Sequence, residues 1–247
     1  MNQRPGAQSL ARATDLVNRV AREHDQGVLL RDLVQASGLD RTTTWRLLEH
    51  LQHAGLIERH QEDGRYRLGV QATAWGAASL QHSALIRQCQ PAMQALARLS
   101  GDNVFLVLRL GDYSHCLHLE QGEHAVRSFR QTVGETRLLG LGVASIAMLA
   151  ALADEAVQSH HVRHKDSYEL EGVSRAQLLR WVQTTRQRGF AYRNTAGIAA
   201  VGLHWQLGDA AIAALSIGGS KVRLPLGRAP ELAALMRSQW PVLGRTA

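Results

Sequence analysis

The sequence predicts an α+β chain in two parts. A small, mostly helical domain ends in a two-stranded flap, and a larger domain carries a largely antiparallel sheet with helices on its faces. Three observations carry this. Residues 28–68 pass from helical to strand patterning around Gly38, Gly55 and the turn Glu62-Asp63-Gly64. The texture changes at Gly101, after which apolar runs such as Val104-Phe105-Leu106-Val107-Leu108 read as buried strands. Finally, 247 residues with 45% hydrophobic and 20% charged side chains suit two modest domains, each with its own core.

Leu10, Leu16, Val17, Val20 and Ala21 form the apolar stripe of a first helix, with Ser9 as its N-cap. Val28-Leu29 precede a second amphipathic run, Arg31 to Ala36, and Gly38 supplies the left-handed conformation that ends it. Asp40 then caps a third helix, its carboxylate accepting from orphan N–H groups. Thr44, Leu47, Leu48 and Leu51 share one face of that helix, whereas Arg41, Thr42, Thr43, Trp45 and Arg46 point elsewhere near its amino end. Gly55 closes it. Leu56 to Arg59 begins a strand, and Tyr66 and Leu68 alternate with Arg65 and Arg67 on the return, so Arg59, Arg65 and Arg67 are expected to line an outward wing. Arginines and hydroxyls on the first turns of a second helix are what a helix-turn-helix inserts into the major groove. The pattern is a winged helix-turn-helix, and double-stranded DNA is its first partner.

Residues 70–88 read as an Ala- and Leu-rich helical linker anchored by Trp75, and Pro91 suits the first turn of the next helix. Strands are expected at 104–108, 114–119, 129–133, 198–205 and 210–218, with Leu207-Gly208-Asp209 between the last two. Helices are expected at 144–153, 177–188 and 230–240. The domain reading is 1–69 for the winged helix, 70–88 for the linker and 89–247 for the second domain.

The formal charge is +7, and 26 of the 28 basic residues are arginine, a balance that favours polyanionic partners. Residues 1–69, however, hold ten Arg against nine Asp plus Glu, so the case for DNA rests on where the arginines sit. The apolar run near 138–152 is too short and mixed for a membrane span, and Met1 to Ser9 has no apolar signal core, so no membrane association and a cytoplasmic location are expected. Two cysteines, Cys89 and Cys116, argue against a disulfide framework or a thiolate zinc site.

Two histidine-rich stretches could suggest metal sites. In His115-Cys116-Leu117-His118, strand alternation turns His115 away from Cys116 and His118, and no carboxylate follows at ligand spacing. His160, His161 and His164 read as a solvated helix end or loop beside Lys165-Asp166. Cys116 lacks an activation motif for nucleophilic chemistry. No catalytic residue, metal or cofactor is expected.

The order of these parts resembles the IclR family of bacterial transcriptional regulators. The resemblance is carried by Ser9-Leu10-Ala11-Arg12-Ala13, Gly38 to Thr43, Arg46-Leu47-Leu48, Gly55-Leu56 and Arg65-Tyr66-Arg67-Leu68-Gly69. Val133-Gly134, Leu149-Ala150, Arg188-Gly189-Phe190-Ala191, Gly197 to Gly202 and Ala214-Leu215-Ser216-Ile217 continue it. It implies a winged-helix reader joined by a helix to a GAF-like effector-binding domain. It also implies homodimers or homotetramers on pseudo-palindromic operators, and small carboxylates or aromatic acids as effectors. Ser9 and Arg12 would then lie near the DNA backbone. The matching pocket positions are Leu139, Gly140, Leu141 and Gly142 in one loop, Ala200 on a strand, and Ser216 and Gly218 on the next. The glycines would offer backbone N–H groups to a carboxylate, and Ser216 a hydroxyl.

Two departures stand out. Where relatives have Pro, a polar residue and later Gly-Lys, this chain has Leu138-Leu139-Gly140-Leu141-Gly142 and Ser145-Ile146. The acidic pair after the Gly-Phe/Tyr-Ala segment is replaced by Arg193-Asn194. The pocket is therefore expected to be more apolar or differently charged. Two other readings stay open: a constitutive DNA-binding regulator whose second domain only oligomerises, and an enzyme built on the second domain, using Cys116 with His118 or a bound metal.

Overall fold

In the computed structural model, residues 5–81, 83–124, 131–207 and 211–239 are described, and they fall into two compact units divided between Ser83 and Ala84. The first unit opens with helix α1 (Pro5–Arg22), followed by α2 (Leu30–Ser37) and α3 (Arg41–His53). Strands β1 (Ile57–Arg59) and β2 (Tyr66–Leu68) pair antiparallel, with Ile57 opposite Leu68 and Arg59 opposite Tyr66. Helix α4 (Val70–Gln81) completes the unit. Leu16, Val20, Leu33, Leu48, Leu51, Ile57 and Tyr66 form its core, so the helical faces read from spacing are the faces that pack. Val28 exchanges two backbone hydrogen bonds with Tyr66, at 3.0 and 2.8 Å, adding a third short rung to the flap.

The turn between α2 and α3 follows the sequence closely. Gly38 sits at φ +67°, and its N–H donates to the Val34 carbonyl at 3.2 Å. Asp40 is extended, and its carboxylate accepts from Thr43 N at 2.8 Å. Helix α1 begins at Pro5, so Ser9 lies inside the helix and not at its cap. Trp75, expected to anchor the linker, is 59% exposed on α4, and Val70 is 78% exposed.

The second unit begins with α5 (Ala84–Ser100), which runs unbroken across the expected 88/89 boundary. Pro91 lies within this helix, not in its first turn. Its ring lies on the solvent side, where water can satisfy the carbonyl that loses its donor. Strands β3 (Asn103–Leu110), β4 (Tyr113–Glu120) and β5 (Thr136–Leu138) follow. Next come α6 (Val143–Ala150), α7 (Asp154–Arg163), α8 (Lys165–Leu170) and α9 (Arg175–Arg188). Strands β6 (Ala191–Thr195), β7 (Ile198–Leu207) and β8 (Ala211–Ser220) precede a short 3-10 turn and α10 (Ala229–Ser238).

The six strands form one antiparallel sheet in the order β5-β4-β3-β8-β7-β6. Both faces of its centre are buried, which is why β3 reads as a continuous apolar run. Val104 and Leu106 pack with Leu215, Ile217 and the α5 and α10 residues Met93, Leu96, Leu232 and Met236. Phe105 and Val107 pack on the other side with Cys116, Ala214, Leu149, Leu178 and Val182.

Several expectations are corrected here. Of the strand expected at 129–133, residues 129 and 130 lie outside the described residues, and Gln131 to Val133 are not strand; the edge strand is β5. Gly208 and Asp209, read as the turn before β8, and residue 240 of the last helix also lie outside the described residues. The register of β3 and β4 shifts at a bulge, so Leu106 faces His118 and Val107 faces Cys116. His115, opposite Leu108, and His118, opposite Leu106, therefore share a face that alternation alone would have split. Glu120 also meets His118, at 2.8 Å.

Candidate functional site

The amino-terminal face of α3 stands uncovered. Arg41, Thr42, Trp45 and Arg46 are exposed and Thr43 is half-buried, whereas Thr44 and Leu48 are fully buried beneath them. Among the described residues neither Arg41 nor Arg46 has an ion-pair partner, and Trp45 is 48% exposed. Leaving an indole ring in water is unfavourable unless something covers it. Thr42 and Thr43 supply short hydroxyls on the helix's first turn, where the Thr43 N–H is already taken by the Asp40 carboxylate.

The wing behaves differently from the expectation of an outward arginine row. Arg65 Nη1 donates to the Gly27 carbonyl at 2.9 Å. Arg67 donates to both Asp63 carboxylate oxygens, at 3.3 and 2.9 Å, and to the Gln26 carbonyl at 3.3 Å. Arg59 Nε donates to the Gly64 carbonyl at 3.1 Å and its guanidinium lies 5.9 Å from the Tyr66 ring centroid. The carbonyls of residues 26 and 27 end the α1–α2 connection without helical partners, and these arginines satisfy them. Arg65 and Arg67 thus brace the wing, and Asp63, hydrogen-bonded by Arg67, has its pKa lowered to about 2. Ser9 is exposed on α1 and Arg12 half-buried there.

A cavity of about 470 Å³ opens on the α6 side of the sheet in the second unit. Leu141, Gly142, Ala200 and Ser216, four of the expected positions, line it. Leu139 and Gly218 do not: Leu139 is fully buried in the core, and Gly218 lies one pleat beyond Ser216, between Asn103 and Ala200. Gly140 is not a lining residue either. It sits at φ +86°, and a Cβ there would lie 2.6 Å from Leu178 Cδ1 and 2.8 Å from the Tyr168 hydroxyl, so glycine is required for packing.

The glycine loop does not offer free N–H groups. Ser145 Oγ accepts from Gly140 N and Gly142 N, each at 3.0 Å, and donates to the Gly142 carbonyl at 2.9 Å. Sequence analysis anticipated a differently charged pocket but did not name Arg137, Glu171 or Arg193 as its lining. Among the described residues, Arg137 and Arg193 line it together with one acidic residue, Glu171. Arg193 Nη1 donates to the Leu141 carbonyl at 3.0 Å, and its guanidinium stacks 4.1 Å from the Trp181 ring centroid. Burial lowers the Arg193 pKa, yet a guanidinium remains charged at neutral pH. The only signal in the sequence was the substitution of Arg193-Asn194 for an acidic pair.

The profile described as "IclR helix-turn-helix domain" matches residues 9–61, and that described as "Bacterial transcriptional regulator IclR C-terminal" matches residues 77–239. This chain belongs to the IclR family. It is 29% identical over 189 residues to the transcriptional repressor IclR of Escherichia coli (strain K12), covering 75% of this chain and 68% of that protein. It is 28% identical over 236 residues to the acetate operon repressor of Salmonella typhimurium, covering 93% and 86%. An IclR family transcriptional regulator from Brucella abortus has the same fold, with a TM-score of 0.79 at 18% identity over 100% of this chain and 95% of that one. An IclR homolog from Microbacterium hydrocarbonoxydans, solved with 4-hydroxybenzoate, aligns with a TM-score of 0.60 at 18% identity over 95% and 98%.

This IclR-type chain is therefore a DNA-binding transcriptional regulator with an effector-binding second domain, and not an enzyme. Cys116 and Cys89 are buried, and burial raises both thiols to about 12, far from a reactive thiolate. Among the described residues no helix is long and apolar enough to cross a membrane.

The histidines near 160 overturn their solvated reading. His160 is 2% and His161 8% exposed on α7, and His161 stacks on the Tyr168 ring at 4.9 Å. His164 Nε2 lies 2.8 Å from Asp112 Oδ2, and Arg163 donates to both Asp112 oxygens at 3.0 and 2.8 Å. Burial raises the Asp112 pKa, but the hydrogen bonds from Arg163 and His164 outweigh it and hold the carboxyl well below the usual range.

Proposed function

We propose that this IclR regulator works as a homodimer. Each copy would set α3 into successive major grooves of a pseudo-palindromic operator, roughly 34 Å apart. The observation that carries this is the uncovered α3 face, where Arg41, Thr42, Trp45 and Arg46 are exposed and neither arginine has an ion-pair partner among the described residues. Arg41 and Arg46 suit phosphate or guanine contact, and Thr42 and Thr43 suit phosphate. Arg65 and Arg67 hold the wing in place behind them. Arg12 and Ser9, on α1, are secondary backbone contacts. Pairing through α4 is supported by Trp75, which is exposed on that helix.

The effector is a small carboxylate, with an aromatic acid favoured. Arg137 and Arg193 supply the cationic end of the cavity, and Leu141, Val143, Val173 and Ile198 the apolar walls, with Ser216 as a hydroxyl. The neighbour solved with 4-hydroxybenzoate supports the same ligand class. Such a ligand shifts the regulator only by binding one arrangement of the dimer better, typically by ~1–3 kcal/mol.

The test begins by selecting duplexes from a random library on the full chain. An inverted repeat with half-sites about one helical turn apart is expected. Arg41→Ala should then lower affinity for the selected site about 10–100-fold at fixed salt, and Arg65→Ala less. Unselective binding, or full affinity in Arg41→Ala, would refute the placement of the reading face. For the effector, ligands from a benzoate and short-chain carboxylate panel should raise the melting temperature. Arg193→Met should abolish the rise. DNA affinity unchanged by every ligand would favour the constitutive reading.

A further inference from the structure

We propose that Asp112, His160 and His164 form a binding site for a divalent transition-metal ion of the zinc type, which pins the loop that walls the cavity. The three residues come from separate parts of the fold. Asp112 lies in the tight turn between β3 and β4, and His160 and His164 lie one helical turn apart at the end of α7. One ligand atom from each falls within 4.8 Å of the others. Two imidazoles and a carboxylate are a donor set suited to zinc, with a fourth position left for water.

A second observation points to a cation. His160 is almost wholly buried, yet its Nδ1 makes no hydrogen bond, although it lies 3.3 Å from Asp112 Oδ1. Its other ring nitrogen, Nε2, faces the Leu139 carbonyl at 3.5 Å. With the ring proton directed at that carbonyl, Nδ1 presents a lone pair to a carboxylate oxygen. In that tautomer a lone pair faces the oxygen of a carboxylate that is 26% exposed, an arrangement that a cation between them would relieve. The Leu139 carbonyl is the kind of outer partner that fixes a ligating imidazole's tautomer.

The metal-free arrangement has a stand-in for the ion. Arg163, directly before His164, donates to both Asp112 oxygens, and its side chain is 53% exposed, so it can withdraw from one of them without crossing the core. His164 is 18% exposed at its side chain and can turn toward the ion. Bringing the three donors to about 2 Å from a common point requires Arg163 to yield Asp112 and His164 to turn.

The consequence lies in the loop 138–142. Leu139 N donates to the Asp112 carbonyl at 3.0 Å, and the Leu139 carbonyl accepts from the Tyr168 hydroxyl at 2.6 Å as well as facing His160. Leu141 and Gly142 of the same loop line the cavity. An ion joining Asp112 to His160 and His164 would clamp both sides of Leu139 together.

The test uses the full chain, stripped with a chelator and titrated with zinc by calorimetry, and separately with cobalt(II). One zinc per chain should bind saturably, raise the melting temperature, and with cobalt give the intense visible absorption of a tetrahedral site. His164→Ala, altered outside the core, should fold as the parent does without metal and lose affinity on the order of 100-fold. His164→Gln serves if the alanine variant does not fold. Arg163→Ala should bind more tightly, since it removes the competitor for Asp112. His60→Ala and His118→Ala should bind as the parent does. Absence of saturable binding, or binding that survives His164→Ala, would overturn the proposal and leave a proton as what fills the gap at His160.

Discussion

Ser145→Ala is the sharpest single test of how the cavity loop is built. The Ser145 side chain is 1% exposed, and its Oγ accepts from two backbone donors, Gly140 N and Gly142 N, while donating to the Gly142 carbonyl. The Gly142 carbonyl also accepts from Ile146 N at 2.9 Å and so keeps a partner when the hydroxyl goes. Gly142 is partly open to water, and its N–H can recover a hydrogen bond there. Gly140 is buried and cannot. Leaving one buried N–H without a partner costs about 1–3 kcal/mol, and the lost hydroxyl bonds bring the expected total to about 2–3 kcal/mol. For a domain of this size that corresponds to a fall of roughly 5–10 °C in the melting temperature of the second domain. Calorimetric melting of parent and variant side by side measures it. Carboxylate binding should weaken too, because Leu141 and Gly142 lose the bonds that hold them against the cavity. A change within about 0.5 kcal/mol, the range of ordinary surface substitutions, would mean that the loop holds its shape without Ser145, and the account of its glycines would be wrong.

Other consequences are simpler to check. Trp45→Ala should cost less stability than truncating a fully buried residue such as Leu48, since Trp45 is 48% exposed, while weakening affinity for the selected operator; unchanged operator affinity would remove Trp45 from the reading face. The Asp63 carboxyl should titrate near 2 by carbon-detected NMR and move back toward 3.8 in Arg67→Ala. Because folding depresses this pKa, the stabilisation from Asp63 is complete above about 4 and is lost as pH falls from there toward 2. The wing should therefore loosen at acid pH, with its amide exchange rising first. Cys89 and Cys116 should resist a thiol-specific disulfide reagent in the native protein at pH 8 and both react once it is unfolded, since burial pushes each thiol up to about 12.

Elements with strong local signals were legible in the sequence. Gly38 and Asp40 end one helix and start the next through contacts within a few residues, so spacing alone placed α2 and α3. Helix α9 is likewise bounded by local devices, Ser174 at its cap and Gly189 at its end. The missed elements lack such signals. β5 has three residues and β6 five, both at sheet edges with arginines that read as loop. Helices α7 and α8 are short and polar, and no apolar stripe marks them. The bulge in β4 reversed the face of His118, because its cause is the pairing with β3 and not anything in the four residues themselves.

What the sequence determined by itself is the arrangement of α3: a capped helix with one apolar face, which leaves Arg41, Thr42, Trp45 and Arg46 on the side that nothing in its own pattern can bury. Tertiary structure alone decided where the remaining charges went. Arg67 turned inward to a carbonyl 41 positions back, Arg193 reached a carbonyl 52 positions back, and His164 met a carboxylate 52 positions away. The physical reason is the range of the forces. Helix caps and amphipathic faces are satisfied within a turn or two of chain, whereas a buried polar group takes whatever partner the packing of distant elements brings within hydrogen-bond reach.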